Sequence, residues 1–140
     1  MAEIEHEIKI RASASSVFAA LSSRAGMQGW HTALVDGTGA VDSIWHLQFP
    51  GNTNFGWRVT SSDPDRRVAW ECVEGPGDSV GTDVEYLLTA LDDGRTLVEQ
   101  RHSGWPGTGG NFRKCNTLWG VLLHQLSQYV ETERPAPAFS

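Results

Sequence analysis

Residues 111–133 run without a proline or a turn cluster, and their apolar side chains recur at helical spacing. Phe112, Cys115, Trp119, Leu122, Leu123, Leu126 and Val130 fall within an arc of about 100° at roughly 3.6 residues per turn. Arg113, His124 and Gln128 fall on the other side. A stripe that wide has to be covered. What precedes it reads as strands carrying Trp45, Trp57 and Trp70, three of the six tryptophans of the chain. One long helix across an aromatic-rich sheet implies either a packed core or a cavity for an apolar ligand.

The strands are legible from their alternation. Residues 3–11 place Glu3, Glu5, Glu7, Lys9 and Arg11 on one side and Ile4, His6, Ile8 and Ile10 on the other, as a half-buried strand does. Ser13-Ala14-Ser15-Ser16 supplies N-cap candidates for a short helix through Val17, Phe18, Ala20 and Leu21. A second helical turn is expected over 24–29. Further strands follow at 43–49, 54–61, 67–73, 80–90 and 95–102. They are separated by the turn signals Pro50-Gly51-Asn52, Asp63-Pro64-Asp65, Gly75-Pro76-Gly77 and Asp92-Asp93-Gly94. A run of strands followed by one long helix predicts an α+β fold with the helix on one face of the sheet.

Length and charge narrow the function. The 140 residues suit one domain, expected over 1–134. Pro135-Ala136-Pro137 cannot continue a helix, so 135–140 is expected to be a flexible tail. The net charge of −6 argues against nucleic acid, whose phosphates want a basic face. No apolar run approaches the roughly 18–20 residues of a membrane span, and the first ten residues do not read as a signal peptide. Cys72 and Cys115 are too few for a disulfide scaffold and read as buried, reduced thiols. A cytoplasmic protein is expected from these features.

Four segments together resemble a known family. They are IEHEIKIRASASSVFAALSS with the following GMQGW, then VTSSDPDRRVAW, RTLVEQRHSGW and LWGVLLHQLSQYVETERP. In this order, over nearly the whole chain, they are similar to the START-like helix-grip superfamily (SRPBCC). Within it they resemble the branch named for activators of the ninety-kilodalton heat-shock-protein ATPase. The resemblance implies a curved antiparallel sheet gripping the C-terminal helix, with a cavity between them. It implies no single function, because the superfamily includes lipid and hormone carriers, polyketide cyclases and chaperone-binding domains. That family often has a second tryptophan after the one matching Trp30; here His31 stands in that place.

Strand parity gives an inward set of Trp45, Phe49, Trp57, Trp70, Cys72, Thr82, Val84, Tyr86, Leu88, Val98, Gln100 and His102. Trp30 and Trp105 are expected on loops that close the two ends. The expected ligand-binding residues are Trp30, His31, Trp57, Trp70, Tyr86, Gln100, His102, Trp105, Phe112, Trp119 and Leu122, mostly apolar walls with a few polar groups. The tryptophan set is larger than so small a core obviously needs, which favours a cavity, although one rotamer of Trp57 or Trp119 would fill it. Glu71, Asp83, Glu85 and Glu99 fall on the outward parity, so no carboxylate pair is placed for acid–base hydrolysis. His102, His31, Tyr86 and Gln100 are the candidates for polarising or deprotonating a substrate. His6 reads as structural. No close-spaced ligand pair points to a metal, and no cofactor is expected. Asn111 or Thr108 is expected to cap the long helix. Gly120 and Val121, on the back of that helix, are open to a loop or to a second copy, so a homodimer is possible.

Three functions fit these features. The first is binding of a hydrophobic or aromatic small molecule, lipid or polyketide-like. The second is a cyclase-type enzyme using the polar cavity residues. The third is a chaperone-binding module, which rests on the resemblance alone.

Overall fold

The computed structural model describes residues 2–51 and 53–139. Strand β1 (Ala2–Ile10) leads into helices α1 (Ala14–Ser22) and α2 (Arg24–Trp30). Strands β2 (Leu34–Asp36), β3 (Ile44–Phe49), β4 (Thr53–Asp63), β5 (Arg67–Glu74), β6 (Asp83–Ala90) and β7 (Thr96–Trp105) follow, and helix α3 (Asn111–Thr132) comes last. The strands form one seven-stranded antiparallel sheet in the order β1-β7-β6-β5-β4-β3-β2. This is the α+β fold that the order of strands and helices predicts, in the helix-grip arrangement that the family resemblance implies.

Local chemistry explains the elements. The Ser13 hydroxyl caps α1 by accepting from the Ser16 N–H, and Ser23 caps α2 by accepting from Gly26. Register shifts on β4 at Gly56/Trp57 and Val59/Ser61 mark bulges, which bend a strand and let the sheet curl. The hairpin at 92–94 forms as expected: Gly94 takes φ +86 and the Leu91 N–H donates to the Arg95 carbonyl at 2.8 Å. The expected turn at 50–52 includes Asn52, which lies outside the described residues.

The parity of the strands holds. Trp45, Trp57, Trp70, Cys72, Val84, Tyr86, Leu88, Val98, Gln100 and His102 are all buried. Glu71 and Glu85 lie on the opposite face, where Arg58 bonds Glu71 at 2.8 Å and Arg67 and Arg101 bond Glu85 at 2.6 and 3.0 Å. Helix α3 buries Trp119, Leu122, Leu123 and Leu126. It is tied to β1 by His6 Nε2 against Asn116 Oδ1 at 3.0 Å and by the Arg11 N–H donating to Glu131 at 2.9 Å. His6 is half-buried rather than fully inward.

Five expectations are corrected. Trp30 closes α2 and Trp105 closes β7, so neither sits on a loop. The strand expected from residue 80 begins at Asp83, because Gly77–Ser79 winds into a 3-10 turn. The N-cap of α3 is Gly110, with no side-chain cap bond; the Asn111 amide instead donates to the Pro76 carbonyl and to Asp78 at 2.9 and 3.0 Å. Cys115 is partly exposed, unlike buried Cys72.

The fifth correction concerns the tail. Glu133 adopts a left-handed conformation (φ 59) and turns the chain out of α3. The tail then runs alongside the last turn of α2 and the residues that follow it. Ala136 N–H donates to the Gly29 carbonyl at 2.9 Å, Ala138 to Trp30 and Phe139 to His31 at 3.2 Å, and Ala33 donates back to Phe139 at 3.0 Å. Pro135 and Pro137 favour extended backbone and lack only N–H groups that this pairing does not use. The two prolines that end the helix thus preform the tail for docking.

The α1–α2 corner gives a direct test of packing. A Cβ on Gly26 would lie 2.6 Å from Ala20 Cα, and the Ala20 carbonyl there accepts the Trp30 indole N–H at 2.9 Å. Gly26→Ala is expected to destabilise the fold by about 1–3 kcal/mol, the usual cost of overpacking, as a lower midpoint in urea followed by circular dichroism. An unchanged midpoint would mean that the corner relaxes freely.

Candidate functional site

All six tryptophans are at least 96 % buried, so the aromatic set fills the space under α3 rather than lining a wide cavity. What remains is a recess of about 30 Å³ walled by His31, Phe49, Phe55, Trp57, His102, Cys115, Leu118, Trp119, Leu122 and Phe139. That is room for about one water molecule. The recess adjoins an apolar groove of about 340 Å³ at the surface. Phe49, Phe55, Cys115, Leu118 and Phe139 belong to both, and Pro50, Thr53, Pro76, Asn111 and Lys114 complete the lining of the groove. The path runs from solvent, between α3 and the β3–β4 hairpin, to His31 and His102.

Helix α3 brings Trp119 over the sheet, and its indole N–H donates to His102 Nδ1 at 3.0 Å. An indole nitrogen can only donate, so Nδ1 is unprotonated and the ring proton sits on Nε2. Nε2–H donates to Thr82 Oγ1 at 2.8 Å, and the Thr82 hydroxyl donates to the Ser79 carbonyl at 2.6 Å. The directions of the whole chain are thereby fixed. Burial pushes the His102 ring down to about 3, which keeps the neutral form this chain requires.

His31 follows α2 directly. It is stacked on Phe49 at 5.7 Å between centroids and lies edge-on to Trp119 at 6.3 Å. Burial pushes it down to about 3 as well. The His31 ring lines the recess, and its Nδ1 is buried with no protein partner among the described residues, an arrangement that is costly to leave unmade.

Deeper in the core, Tyr86 and Gln100 are cross-strand neighbours on β6 and β7. The Tyr86 hydroxyl and both amide atoms of Gln100 are buried without protein partners among the described residues. Burial raises the Tyr86 hydroxyl well above its usual range, so it stays protonated. Trp70 packs on Tyr86 at 5.2 Å and Trp119 at 6.0 Å. Trp119 therefore stands between the recess and this polar pair.

Of the expected ligand-binding residues, His31, Trp57, His102, Trp119 and Leu122 come together at the recess. Trp70, Tyr86 and Gln100 lie behind Trp119. Trp30 is 4.9 Å from the His31 ring, and Trp105 packs between His102 at 4.6 Å and Phe112 at 6.0 Å. These three support the site from outside the recess. Cys72 donates to the Glu74 carbonyl at 3.3 Å and is pushed up to about 12 by burial, which leaves no thiolate for nucleophilic chemistry at neutral pH.

Phe49, Phe55, Cys115, Leu118 and Phe139 are wall residues that the reading of the sequence did not single out as ligand-binding, although Phe49 and Cys115 were placed on the inward faces. Phe55 shares the strand face of Trp57, so parity pointed to it. Leu118 lies at the margin of the helical stripe. Phe139 carried no signal, because its position depends on the docked tail.

Comparison with known proteins decides the family. A family model described as polyketide cyclase / dehydrase and lipid transport matches residues 1–116. The chain belongs to this family. Among solved structures, the chain is similar to the Aha1 dimer from Colwellia psychrerythraea, at 30% identity and a TM-score of 0.86, covering 94% of this chain and 98% of that one. CalU16 from Micromonospora echinospora has 19% identity and a TM-score of 0.77, covering 96% of this chain and 76% of the other. DynU16, from the dynemicin biosynthetic locus, has 18% identity and a TM-score of 0.78, covering 95% of this chain and 48% of the other. The last two likenesses establish the shared helix-grip fold only. No curated protein matches the chain by sequence. No helix among the described residues is long and apolar enough to cross a membrane.

Proposed function

We propose that this member of the polyketide cyclase/dehydrase and lipid transport family binds an apolar, ring-containing small molecule between α3 and the sheet. The observation that carries the reading is the continuity of the groove with the recess. A groove of about 340 Å³ is at the lower end of ordinary ligand sites, and it leads to the His31 ring, whose buried Nδ1 has no protein partner among the described residues. A ring in the groove would meet Phe49, Phe55 and Leu118, while a polar atom carried inward would meet His31. A long lipid chain needs more room than this state offers and would have to displace Trp119.

The polar residues support binding better than catalysis. Both ring nitrogens of His102 are engaged. His31, pushed down to about 3, holds a proton poorly near neutral pH, where a general base works best with a matched pKa.

The test is native mass spectrometry of the protein purified from its own host, with organic extraction of anything bound. A stoichiometric apolar adduct is expected. A bare mass, together with no thermal shift across a panel of aromatic polyketides and lipids, would overturn the reading.

The 30% identity to a dimeric Aha1 over almost the whole of both chains favours a second reading, in which the protein works by association with another protein. A homodimer in sedimentation equilibrium, with Val121, 46 % exposed on the back of α3, protected from solvent, would support it; a monomer at all concentrations would count against self-association.

A further inference from the structure

Phe139 occupies an unusual place. Its ring packs on Phe49 at 4.7 Å between centroids and borders both the groove and the recess. It is held there by a short tail whose four backbone bonds all go to residues 29–33. That partner segment includes His31, so the strap and the unsatisfied nitrogen lie on the same stretch of chain. The tail itself is otherwise exposed: residues 133–136 face solvent, and 137–139 are only partly covered. Few buried contacts and solvent-facing hydrogen bonds are what distinguish a segment that opens locally from one that opens only with the whole fold.

We propose that the segment 135–139 is a latch on the ligand site and that the Phe139 ring is its built-in occupant. The incoming molecule is then one whose own aromatic ring replaces that of Phe139 against Phe49. This rests on the binding reading above and adds how the site is regulated. In the latched state the groove is partly filled, and apparent affinity falls by the fraction of molecules that are unlatched. Ring exchange replaces one aromatic contact by another, so a ligand with a flat ring opens the latch at smaller cost than a branched aliphatic one.

The experiment uses the full-length chain and 1-anilinonaphthalene-8-sulfonate, an apolar two-ring probe. Phe139→Ala is expected to bind it about tenfold more tightly than the unaltered protein, and Phe139→Trp, which fills the groove further, several-fold more weakly. Near-ultraviolet circular dichroism on each variant verifies that the core remains packed. On adding probe to the unaltered protein, the amides of Ala136, Ala138 and Phe139 are expected to lose protection in hydrogen exchange, while those of β6 and β7 keep it. Equal affinities for all three proteins, with tail protection unchanged by the probe, would overturn the latch and leave the binding reading standing. No binding by any of the three would overturn both. If Phe139→Ala is unfolded, the affinity of Phe139→Trp and the exchange of the unaltered protein still decide the matter.

Discussion

Trp119→Ala is expected to lower the stability of the fold by about 3–5 kcal/mol and to raise its affinity for a two-ring apolar probe. The side chain is buried to within 4 % of full coverage, and its ring packs against His31, Tyr86 and His102. Deleting it removes apolar contact and leaves a hole where the surroundings relax only partly. That hole joins the 30 Å³ recess to the polar pair Tyr86 and Gln100, so the space becomes large enough for a ligand. The variant also strips His102 Nδ1 of its donor. Trp119→Phe isolates this last effect: it keeps most of the ring and is expected to cost about 1–3 kcal/mol for the abandoned acceptor along with a smaller packing loss. Urea titrations give the stabilities, and probe fluorescence gives the affinities. A loss below about 1 kcal/mol for the alanine variant would show that Trp119 is loosely held and that the recess is open without it.

Acid is expected to unfold this protein through its two buried histidines. His31 and His102 are both pushed down to about 3 by burial, from an ordinary 6.5. Between these values the unfolded chain binds protons that the folded one refuses. The stabilising contribution is therefore complete above about pH 6.5 and is lost progressively as the pH falls toward 3. From pH 7 to pH 5 each histidine is expected to withdraw about 2 kcal/mol, or about 4 kcal/mol together. Protonation of His102 would also set a ring N–H head-on against the Trp119 N–H, so the native form has no easy way to accept it. Urea midpoints at pH 7.5, 6 and 5 measure the effect. His31→Phe, which preserves a stack on Phe49, is expected to remove about half of it. A flat profile from pH 7 to pH 5 would mean that one or both rings take up protons inside the fold.

Much of the fold was readable because burial writes itself into periodicity. The alternation in β1, β5 and β7 and the stripe of α3 follow from having one covered face, so Trp57, Trp70, Gln100 and His102 could be placed inward before any coordinates. The outward carboxylates were placed by the same rule, and Arg58, Arg67 and Arg101 now account for Glu71 and Glu85. Parity has no information on how far a side chain extends. It assigned Trp57 and Trp119 to the interior without saying that their rings would close the space between helix and sheet. Nor could it orient His102, whose tautomer is decided by a tryptophan seventeen residues away in sequence. The tail was misjudged for a related reason. Pro135 and Pro137 ended the helix as expected, but the same preference for extended backbone let Ala136–Phe139 pair with the end of α2 and the residues after it, a contact between distant parts of the chain. Trp105 is not on the loop expected for it: Gly104 sits within β7 at φ +88, and the strand continues through it.

The most direct test of a ligand site between α3 and the sheet is a nuclear magnetic resonance titration with 1-anilinonaphthalene-8-sulfonate, following the six indole N–H signals and the histidine rings. Saturable shifts are expected at the Trp119 indole and at His31, larger than any at the indole of Trp45, which does not line the recess. Shifts confined to residues of the outer sheet face, or none at concentrations where the probe is in excess, would contradict it.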